Sequence, residues 1–197
     1  MTFKLGLTGS IGMGKSTTAQ MFVDRGCALW DADAAVHRLY AKGGSAVKKF
    51  AEILPEAIED DQVSRKKLKL LIERDPNTLK IIERIVHPLV RADRERMMVS
   101  VDVHVTVFDI PLLFETDAQD EFDAVACVHV SDTEQKRRVL ARGTMSEDQF
   151  HLILSKQMPI ADKLARSDYQ IETSSMDAAA QQVDAVLADI SKRIADA

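Results

Sequence analysis

The sequence is poor in aromatic residues and has no excess of positive charge. Its 197 residues include seven Phe, two Tyr and one Trp, and 31 acidic residues against 26 basic ones give a formal net charge of −5. Proteins that bind nucleic acids generally present a basic face that releases counterions, often with aromatic rings that stack on bases. This composition therefore argues against a general nucleic-acid binder.

Long apolar runs are also missing. No run approaches the roughly 18 residues that a membrane span requires, and residues 1–12 lack the apolar region of a signal peptide. The two cysteines, Cys27 and Cys127, lie far apart in apolar stretches, which predicts buried thiols in a reducing compartment. The Cys and His spacings of a zinc site are absent. We therefore expect a cytoplasmic protein without a membrane partner.

The pattern of apolar residues predicts alternating strands and helices in one domain. At 197 residues the chain is long enough to bury its own core. Helices are indicated by capping boxes at Ser131 and Ser146 and by a cap at Ser174 before the last apolar periodicity. This alternation predicts a parallel sheet with helices on both faces. Short, mostly apolar runs predict strands at residues 3–8, 27–30, 103–110 and 125–130, and residues 169–172 are a candidate fifth strand.

One part of the chain departs from this alternation, because residues 63–100 predict helices only. Asp75-Pro76 indicates the start of a helix, and His87-Pro88 indicates a break. Residues 63–96 hold ten basic and five acidic residues, so they carry +5 while the rest of the chain carries −10. This segment is either a solvated helix surface or a docking face for a polyanionic small molecule.

A phosphate-binding motif follows the first predicted strand. Residues 9–16 read Gly-Ser-Ile-Gly-Met-Gly-Lys-Ser, which fits G-x-x-x-x-G-K-[ST]. Glycines allow successive backbone N–H groups to face phosphate oxygens, and the following helix presents its N-terminus to the same anion. A lysine then contacts the β- and γ-phosphates, and a serine hydroxyl binds Mg²⁺. The candidate nucleotide-binding residues are Gly9, Gly12, Met13, Gly14, Lys15, Ser16 and Thr17.

The motif alone allows a kinase, a GTPase or regulatory NTPase, or a binding module without turnover. A guanine-reading N-K-x-D motif is impossible, since Asn77 is the only asparagine and Thr78 follows it. Residues 109–112 read Asp-Ile-Pro-Leu and not D-x-x-G, so the glycine that senses the γ-phosphate in GTPases is also missing. A kinase of a small molecule is therefore favoured.

A kinase needs a base for the acceptor, a carboxylate near the metal, and cations for the transferring phosphate. Asp33 follows the second predicted strand and is a candidate base, although it could cap the next helix, and Asp31 competes with it. Asp109 ends the third strand and is a candidate Mg²⁺ ligand through water. Arg138 and Arg142 lie one turn apart on one predicted helix that breaks at Gly143. They are either lid cations that reach the phosphates or part of a solvated helix face.

These motifs together resemble the dephospho-CoA kinase family over nearly the whole chain. Residues 172–174 read Glu-Thr-Ser, where many members carry asparagine near the adenine. The resemblance rests on GLTGSIGMGKST at 6–17, WDADAAVHRLY at 30–40, VSRKKL at 63–68, IERIVHPLV at 82–90, DIPLLFE at 109–115, QKRRVLAR at 135–142, Gln157, Lys163, and DYQI at 168–171.

The resemblance implies transfer of the ATP γ-phosphate, with Mg²⁺, to the ribose 3′-hydroxyl of dephospho-CoA. It implies a three-layer α/β/α P-loop kinase fold whose five-stranded parallel sheet has the order 2-3-1-4-5. The expected parts are a nucleotide-binding core (1–60, 101–140 and 155–197), a helical acceptor-binding segment (61–100) and a lid (141–154). Asp33 would be the base, Lys15 the phosphate clamp, and Arg138 and Arg142 the lid cations.

For the acceptor we expect contacts from Arg65 and His87, which lie in the stretches that match the acceptor region of the family. A small molecule is the only partner expected, and we expect a monomer or weak homo-oligomer. The residues themselves leave open another small-molecule or nucleotide P-loop kinase.

Overall fold

A computed structural model describes residues 2–196. These residues form two compact units, one made of residues 2–30 with 102–196 and the other of residues 31–101. The second unit contains the predicted acceptor segment together with residues 31–60. The division into core, acceptor segment and lid stays a prediction, because compactness does not show what each part binds.

The secondary structure alternates between strands and helices, as expected. The elements in chain order are β1 (Phe3–Gly9), α1 (Lys15–Val23), β2 (Ala28–Asp31), α2 (Ala32–Tyr40), α3 (Ser45–Ile53), β3 (Ile58–Glu59), β4 (Gln62–Val63), α4 (Arg65–Arg74), α5 (Thr78–Ser100), β5 (Val105–Asp109), β6 (Ala124–His129), α6 (Asp132–Ala141), α7 (Glu147–Leu154), α8 (Ile160–Ala165), β7 (Tyr169–Glu172) and α9 (Met176–Ala195).

Five strands form one parallel sheet in the order β2-β5-β1-β6-β7. The register pairs Leu5 of β1 with Val107 of β5, and Leu7 of β1 with Ala126 of β6. Counted along the chain, these strands have the order 2-3-1-4-5, so the predicted fold class is confirmed. The carboxyl ends of β1 and β5 are neighbours, and ligands of open α/β sheets bind at such ends.

Both faces of this sheet are covered, which is why β1 is apolar almost throughout. On one face, Leu5 packs in a buried cluster with Phe22 of α1 and Ile190 of α9. On the other face, Gly6 leaves no room for a side chain, because a Cβ there would lie 2.7 Å from Leu113 Cδ1. The two covered faces hold the carboxyl edge of the sheet in a fixed position.

The second unit consists of four helices and a short antiparallel hairpin that pairs Ile58 with Val63. Its buried cluster takes Leu39 from α2, Phe50 from α3 and Ile85 from α5. The expectation of helices only over residues 63–100 is thus wrong at its first residue, which ends β4.

Two helix boundaries in this unit differ from the sequence prediction. Helix α5 runs without a break through Pro88, because Val86 before it and Leu89 after it pack on the same cluster. Tertiary packing here outweighs the hydrogen bond that proline removes. Asp75 ends α4 and does not cap α5, whose first helical residue is Thr78.

The predicted caps lie as expected at α6 and α7, with the reciprocal capping box formed at Ser146 and Gln149 and a simple cap at Ser131, and the cap of α9 is shifted by one residue. Ser131 and Ser146 cap α6 and α7, whereas α9 is capped by Ser175, whose hydroxyl accepts from the Ala178 amide at 3.1 Å. Among residues 2–196, none of the helices combines the length and the apolar character that a membrane crossing requires.

Candidate active site

The loop between β1 and α1 has a backbone that only glycine adopts without strain. Gly12 and Gly14 have φ values of 76° and 89°, in the left-handed region. A Cβ on Gly12 would lie 2.4 Å from Val139 Cγ2 of α6, and one on Gly9 would lie 2.5 Å from Val128 Cγ2. The glycines of the motif therefore provide both the turn and the close packing around it.

The inner side of this loop offers unpaired amides. The N–H groups of Gly12, Gly14, Lys15 and Ser16 donate no hydrogen bond to a partner within residues 2–196. Two of them lie in the first turn of α1, whose helix dipole also favours an anion. This set of donors fits a phosphate group, as the motif predicts.

The backbone groups of Ile11 and Met13 in the same loop, by contrast, are hydrogen-bonded within the protein. The Ile11 amide donates to Gln157 Oε1 at 3.2 Å, and the Ile11 carbonyl accepts from Gln135 Nε2 at 2.7 Å. The Met13 carbonyl accepts from the Thr173 hydroxyl at 2.8 Å. The Met13 amide donates to the Ser10 carbonyl at 3.2 Å, so this candidate contact to nucleotide has its donor occupied.

Lys15 forms an ion pair with Asp109 at the carboxyl edge of the sheet. The Lys15 ammonium donates to Asp109 Oδ1, and Asp109 is only 3% exposed. The neighbouring ends of β1 and β5 bring the two residues together. The ammonium group of this lysine is therefore paired with a protein carboxylate. Lys15 follows Gly14 in the loop whose unpaired amides fit a phosphate, and we call this set of amides the cradle.

The candidate metal ligands are a hydroxyl and a carboxylate, oxygen ligands of the kind that Mg²⁺ prefers. Ser16 and Thr17 expose their side chains in the first turn of α1, and Asp109 lies beside Lys15. Within residues 2–196 no group of three or more His, Cys, Asp or Glu forms a metal cage. A hydroxyl and a carboxylate fill only part of an octahedral Mg²⁺ shell, so phosphate oxygens and water would supply the other ligands.

The two candidate lid arginines differ in their surroundings. Arg138 Nε donates to Glu134 Oε1 at 2.7 Å, and its Nη1 and Nη2 donate to the hydroxyl and carbonyl of Thr173 at 3.1 and 2.7 Å. Hydrogen bonds from Arg137 and Arg138 lower the pKa of Glu134 to about 2. Arg142 is the C-cap residue that follows α6, and it is exposed. Arg138 is thus fixed on the protein, while Arg142 is oriented toward solvent.

Thr173 is a residue whose role the sequence did not reveal. It follows β7 directly and is 8% exposed. Its hydroxyl contacts the Met13 carbonyl in the loop and the Arg138 guanidinium on α6. Its position after a strand at the carboxyl edge was the available signal. The stretch at residues 172–174 therefore joins the phosphate loop to α6.

The second unit separates the roles of the two aspartates near β2. Asp31 caps α2, since its Oδ1 accepts from the Ala34 amide at 2.8 Å. Asp33 lies in the first turn with an exposed side chain that has no hydrogen-bond partner in the described chain. The expectation that Asp33 could be the cap is wrong, because Asp31 occupies that position.

The candidate acceptor residues lie on two helices of the second unit. Arg65 is the first residue of α4, directly after its cap Ser64. Burial raises the pKa of Tyr40, and the positive charge of Arg65 opposes that rise. His87 is exposed on α5. Arg65 therefore places a cation at a helix N-terminus, where anions are favoured.

A family profile described as dephospho-CoA kinase matches residues 3–179. The chain belongs to this family. Curated relatives named dephospho-CoA kinase include one from Ruegeria pomeroyi, 60% identical over 96% of each chain. Another, from Jannaschia sp., is 52% identical over 93% of this chain and 94% of the relative.

Two solved structures share this fold over nearly the whole chain. A crystal structure from Thermus thermophilus superposes with a TM-score of 0.86 at 30% identity, covering 95% of this chain and 97% of the other. A dephospho-CoA kinase from Campylobacter jejuni gives a TM-score of 0.69 at 26% identity over 98% of both. The dephospho-CoA kinase fold therefore spans the chain.

A buried ion pair joins Lys163 to Glu115, and both residues belong to stretches that carry the family resemblance. Lys163 is fully buried, and its ammonium lies 2.8 Å from Glu115 Oε1 and 3.2 Å from the Pro111 carbonyl. Burial raises the pKa of Glu115, but hydrogen bonds from Lys163 and the Met158 amide outweigh it and hold that pKa below its usual range. The pair fixes residues 111–115 to α8.

We expect Lys163→Met to lower the free energy of unfolding by about 2 kcal/mol at pH 7. Loss of one partner of a buried pair commonly costs about 3–5 kcal/mol, but Glu115 keeps the Met158 amide at 2.9 Å. Urea unfolding measures the change. Because the folded pKa of Glu115 is lowered, the wild-type advantage is present above the unfolded carboxyl pKa and disappears as pH falls through the folded value.

The matched control is Lys163→Met combined with Glu115→Leu, which removes both charges. A buried pair replaced by apolar residues is often neutral in stability, so the double variant should regain most of the loss. A single variant as stable as wild type, or a double variant less stable than the single one, would contradict the prediction.

Proposed function

We propose that the protein transfers the γ-phosphate of ATP to the ribose 3′-hydroxyl of dephospho-CoA, giving CoA and ADP. The observation that carries the proposal is the cradle of unpaired amides of Gly12, Gly14, Lys15 and Ser16, in a chain that belongs to the dephospho-CoA kinase family over residues 3–179. The cradle supplies the phosphate site, and the family supplies the acceptor.

On the nucleotide side, the unpaired amides of Gly12, Gly14 and Ser16 and that of Lys15 hold the phosphates, while the Lys15 side chain exchanges Asp109 for phosphate oxygens. Ser16 and Asp109 would hold Mg²⁺, which offsets the phosphate charge when bound. The Lys15–Asp109 pair supports this assignment, because it keeps the lysine and the carboxylate at one edge until nucleotide arrives. Each group then gains a partner of opposite charge.

On the acceptor side, the 3′-hydroxyl oxygen attacks the γ-phosphorus as the bond from that phosphorus to the β–γ bridging oxygen breaks. The hydroxyl proton passes to the Asp33 carboxylate, which has no competing protein partner in the described chain. Arg138 and Arg142 stabilise the negative charge on the transferring phosphoryl group. The lid at residues 141–154 would include the second of these arginines.

The acceptor itself would dock on residues 61–100, with Arg65 and His87 as contacts. Dephospho-CoA carries a pyrophosphate, and residues 63–96 carry +5 in a chain that is otherwise −10. The same charge asymmetry would steer the anionic substrate toward this segment.

The test is turnover by the purified protein with ATP, Mg²⁺ and dephospho-CoA, following both ADP and CoA. We expect one CoA for each ADP, no turnover with excess EDTA, and slower turnover with GTP, since a guanine-reading motif is absent. Adenosine and nucleoside monophosphates are the comparison acceptors. Faster phosphorylation of any of these than of dephospho-CoA would favour another P-loop kinase and overturn the proposal.

Arg65→Ala is expected to raise the KM for dephospho-CoA about tenfold, which corresponds to about 1.4 kcal/mol, the size of one charge-assisted contact. The KM for ATP should change little, because the phosphate loop belongs to another element. High salt should reduce the effect if it is electrostatic. Steady-state kinetics with Lys80→Ala as the matched control measure it. Unchanged acceptor KM in both variants would make the basic segment a solvated surface.

We also propose a cytoplasmic location for the chain and a small molecule as its partner. Cys27 and Cys127 are free and buried, and burial raises the pKa of each thiol to about 11. Such thiols are inert packing groups, as in proteins of a reducing compartment. Mass measurement in solution tests the expected monomer or weak homo-oligomer.

A further inference from the structure

The backbone of Ile11 is held by two glutamines that flank the predicted lid. Gln135 lies on α6, before residues 141–154, and Gln157 lies just after them. Gln135 Nε2 lies 2.7 Å from the Ile11 carbonyl, and Gln157 Oε1 lies 3.2 Å from the Ile11 amide. Both glutamines therefore contact the backbone of a single residue of the phosphate loop, Ile11.

The chemistry of Ile11 fixes the orientation of each side-chain amide. A backbone N–H can only donate, so Gln157 must present its oxygen, and a carbonyl can only accept, so Gln135 must present its nitrogen. Gln135 is 3% exposed, so its loss would leave a poorly hydrated carbonyl. Because the Ile11 amide is taken from outside, it is not available to a phosphate.

Packing on both sides makes these contacts stiff. Gly12 lies against α6, since a Cβ there would be 2.4 Å from Val139 Cγ2 and 3.3 Å from the Gln135 carbonyl. The residue after Gln157 is also anchored, because the Met158 amide donates to Glu115 at 2.9 Å. A displacement of the loop would therefore shift α6 and residue 157 together.

Gln135 lies on the same helix, α6, as Arg138, so its contact with Ile11 is linked to the position of the candidate lid arginines. Arg138 and Arg142 follow it by three and seven residues, so all three lie on one face of the helix. A helix rotated about its axis at Gln135 would carry both guanidinium groups with it. The contact to Ile11 thus sets the direction in which this face points.

We propose that Gln135 and Gln157 are positioning residues that couple the phosphate loop, through Ile11, to both ends of residues 141–154 and so set the arginines for phosphoryl transfer. The inference rests on the proposed function. It assigns neither glutamine a contact with substrate. Its signature is a fall in kcat with nearly unchanged binding of ATP.

The test uses the opposite hydrogen-bond roles of the two residues, since Gln157 accepts from Ile11 and Gln135 donates to it. A glutamate at 157 still accepts from the Ile11 amide, whereas a glutamate at 135 cannot donate to the Ile11 carbonyl. We therefore compare Gln157→Glu and Gln135→Glu with Gln157→Met and Gln135→Met, which remove the polar group at similar length. Gln181→Met, an exposed change on α9, is the matched control.

Two measurements are made on each variant. Steady-state kinetics should show kcat at least tenfold lower in both Met variants and in Gln135→Glu, with the KM for ATP within threefold. Gln157→Glu should keep at least a third of wild-type kcat. Hydrogen exchange with a non-hydrolysable ATP analogue should show that nucleotide protects residues 141–154 in wild type and Gln181→Met but not in the Met variants at 135 and 157.

The proposal is overturned if both Met variants keep kcat within twofold, or if glutamate has the same effect at 135 and 157. Unchanged nucleotide-dependent protection of residues 141–154 in folded Met variants would overturn it equally. Should Gln135→Met fail to fold, the comparison of Met with Glu at 157 decides. The exchange measurement uses no acceptor, so it distinguishes failure of this coupling from failure of the proposed acceptor.

Discussion

Lys15→Ala is expected to lower kcat by about 10²–10³, the usual cost of removing one preorganised charge at a transition state. Lys15 is the first residue of α1, at the rim of the amide cradle and beside Asp109. Without it, the phosphates keep the backbone donors but lose the nearest fixed cation. Single-turnover kinetics with saturating ATP and dephospho-CoA measure the effect. Activity within threefold of wild type would contradict a phosphate role for Lys15.

The ion pair adds a second consequence of Lys15→Ala, a loss of stability. Asp109 is 3% exposed, and removal of its cation leaves a buried carboxylate less compensated, at a cost of up to about 3 kcal/mol. Lys15→Ala with Asp109→Asn is the matched control, because it removes the charge imbalance as well as the lysine. It should regain stability in urea unfolding, which would assign the lost stability of Lys15→Ala to the unpaired carboxylate.

Asp33→Asn is expected to lower kcat by about 10²-fold or more with little change in the KM for ATP, as for loss of a general base. The asparagine keeps the size of the side chain but cannot take the acceptor proton. Asp33 makes no hydrogen bond that the change would break in the described chain, so the free energy of unfolding should change little. Pre-steady-state measurement of CoA formation tests whether the chemical step is slowed.

Asp31 supplies the control for this prediction, because the structure gives it the capping role. Asp31→Ala removes the acceptor for the Ala34 amide and should cost about 1 kcal/mol of stability while kcat is kept. Asp31→Asn should change neither quantity, since asparagine caps helices as well as aspartate does. A large fall in kcat for Asp31→Asn, with Asp33→Asn nearly unaffected, would transfer the role of base to Asp31.

The parts of the fold that the sequence predicted correctly depend on local patterns. Strand β7 lies at residues 169–172, as predicted, because the alternation of apolar and polar residues in Tyr-Gln-Ile-Glu is a short-range signal. The caps at Ser131 and Ser146 likewise depend on residues three apart. Pro88 shows the limit, since α5 continues through it where packing on both sides outweighs the local preference.

The candidate site likewise combines features set by the local sequence with contacts set only by the tertiary structure. The sequence by itself predicted the conformation of the phosphate loop, because the left-handed turns at Gly12 and Gly14 and the helix start at Lys15 are local requirements of the motif. It also determined the family. The tertiary structure decided which partners these residues have: Asp109 for Lys15, Thr173 for Arg138, and two distant glutamines for Ile11. Such contacts join residues far apart in the chain, and their geometry is set only when the sheet brings its strand ends together.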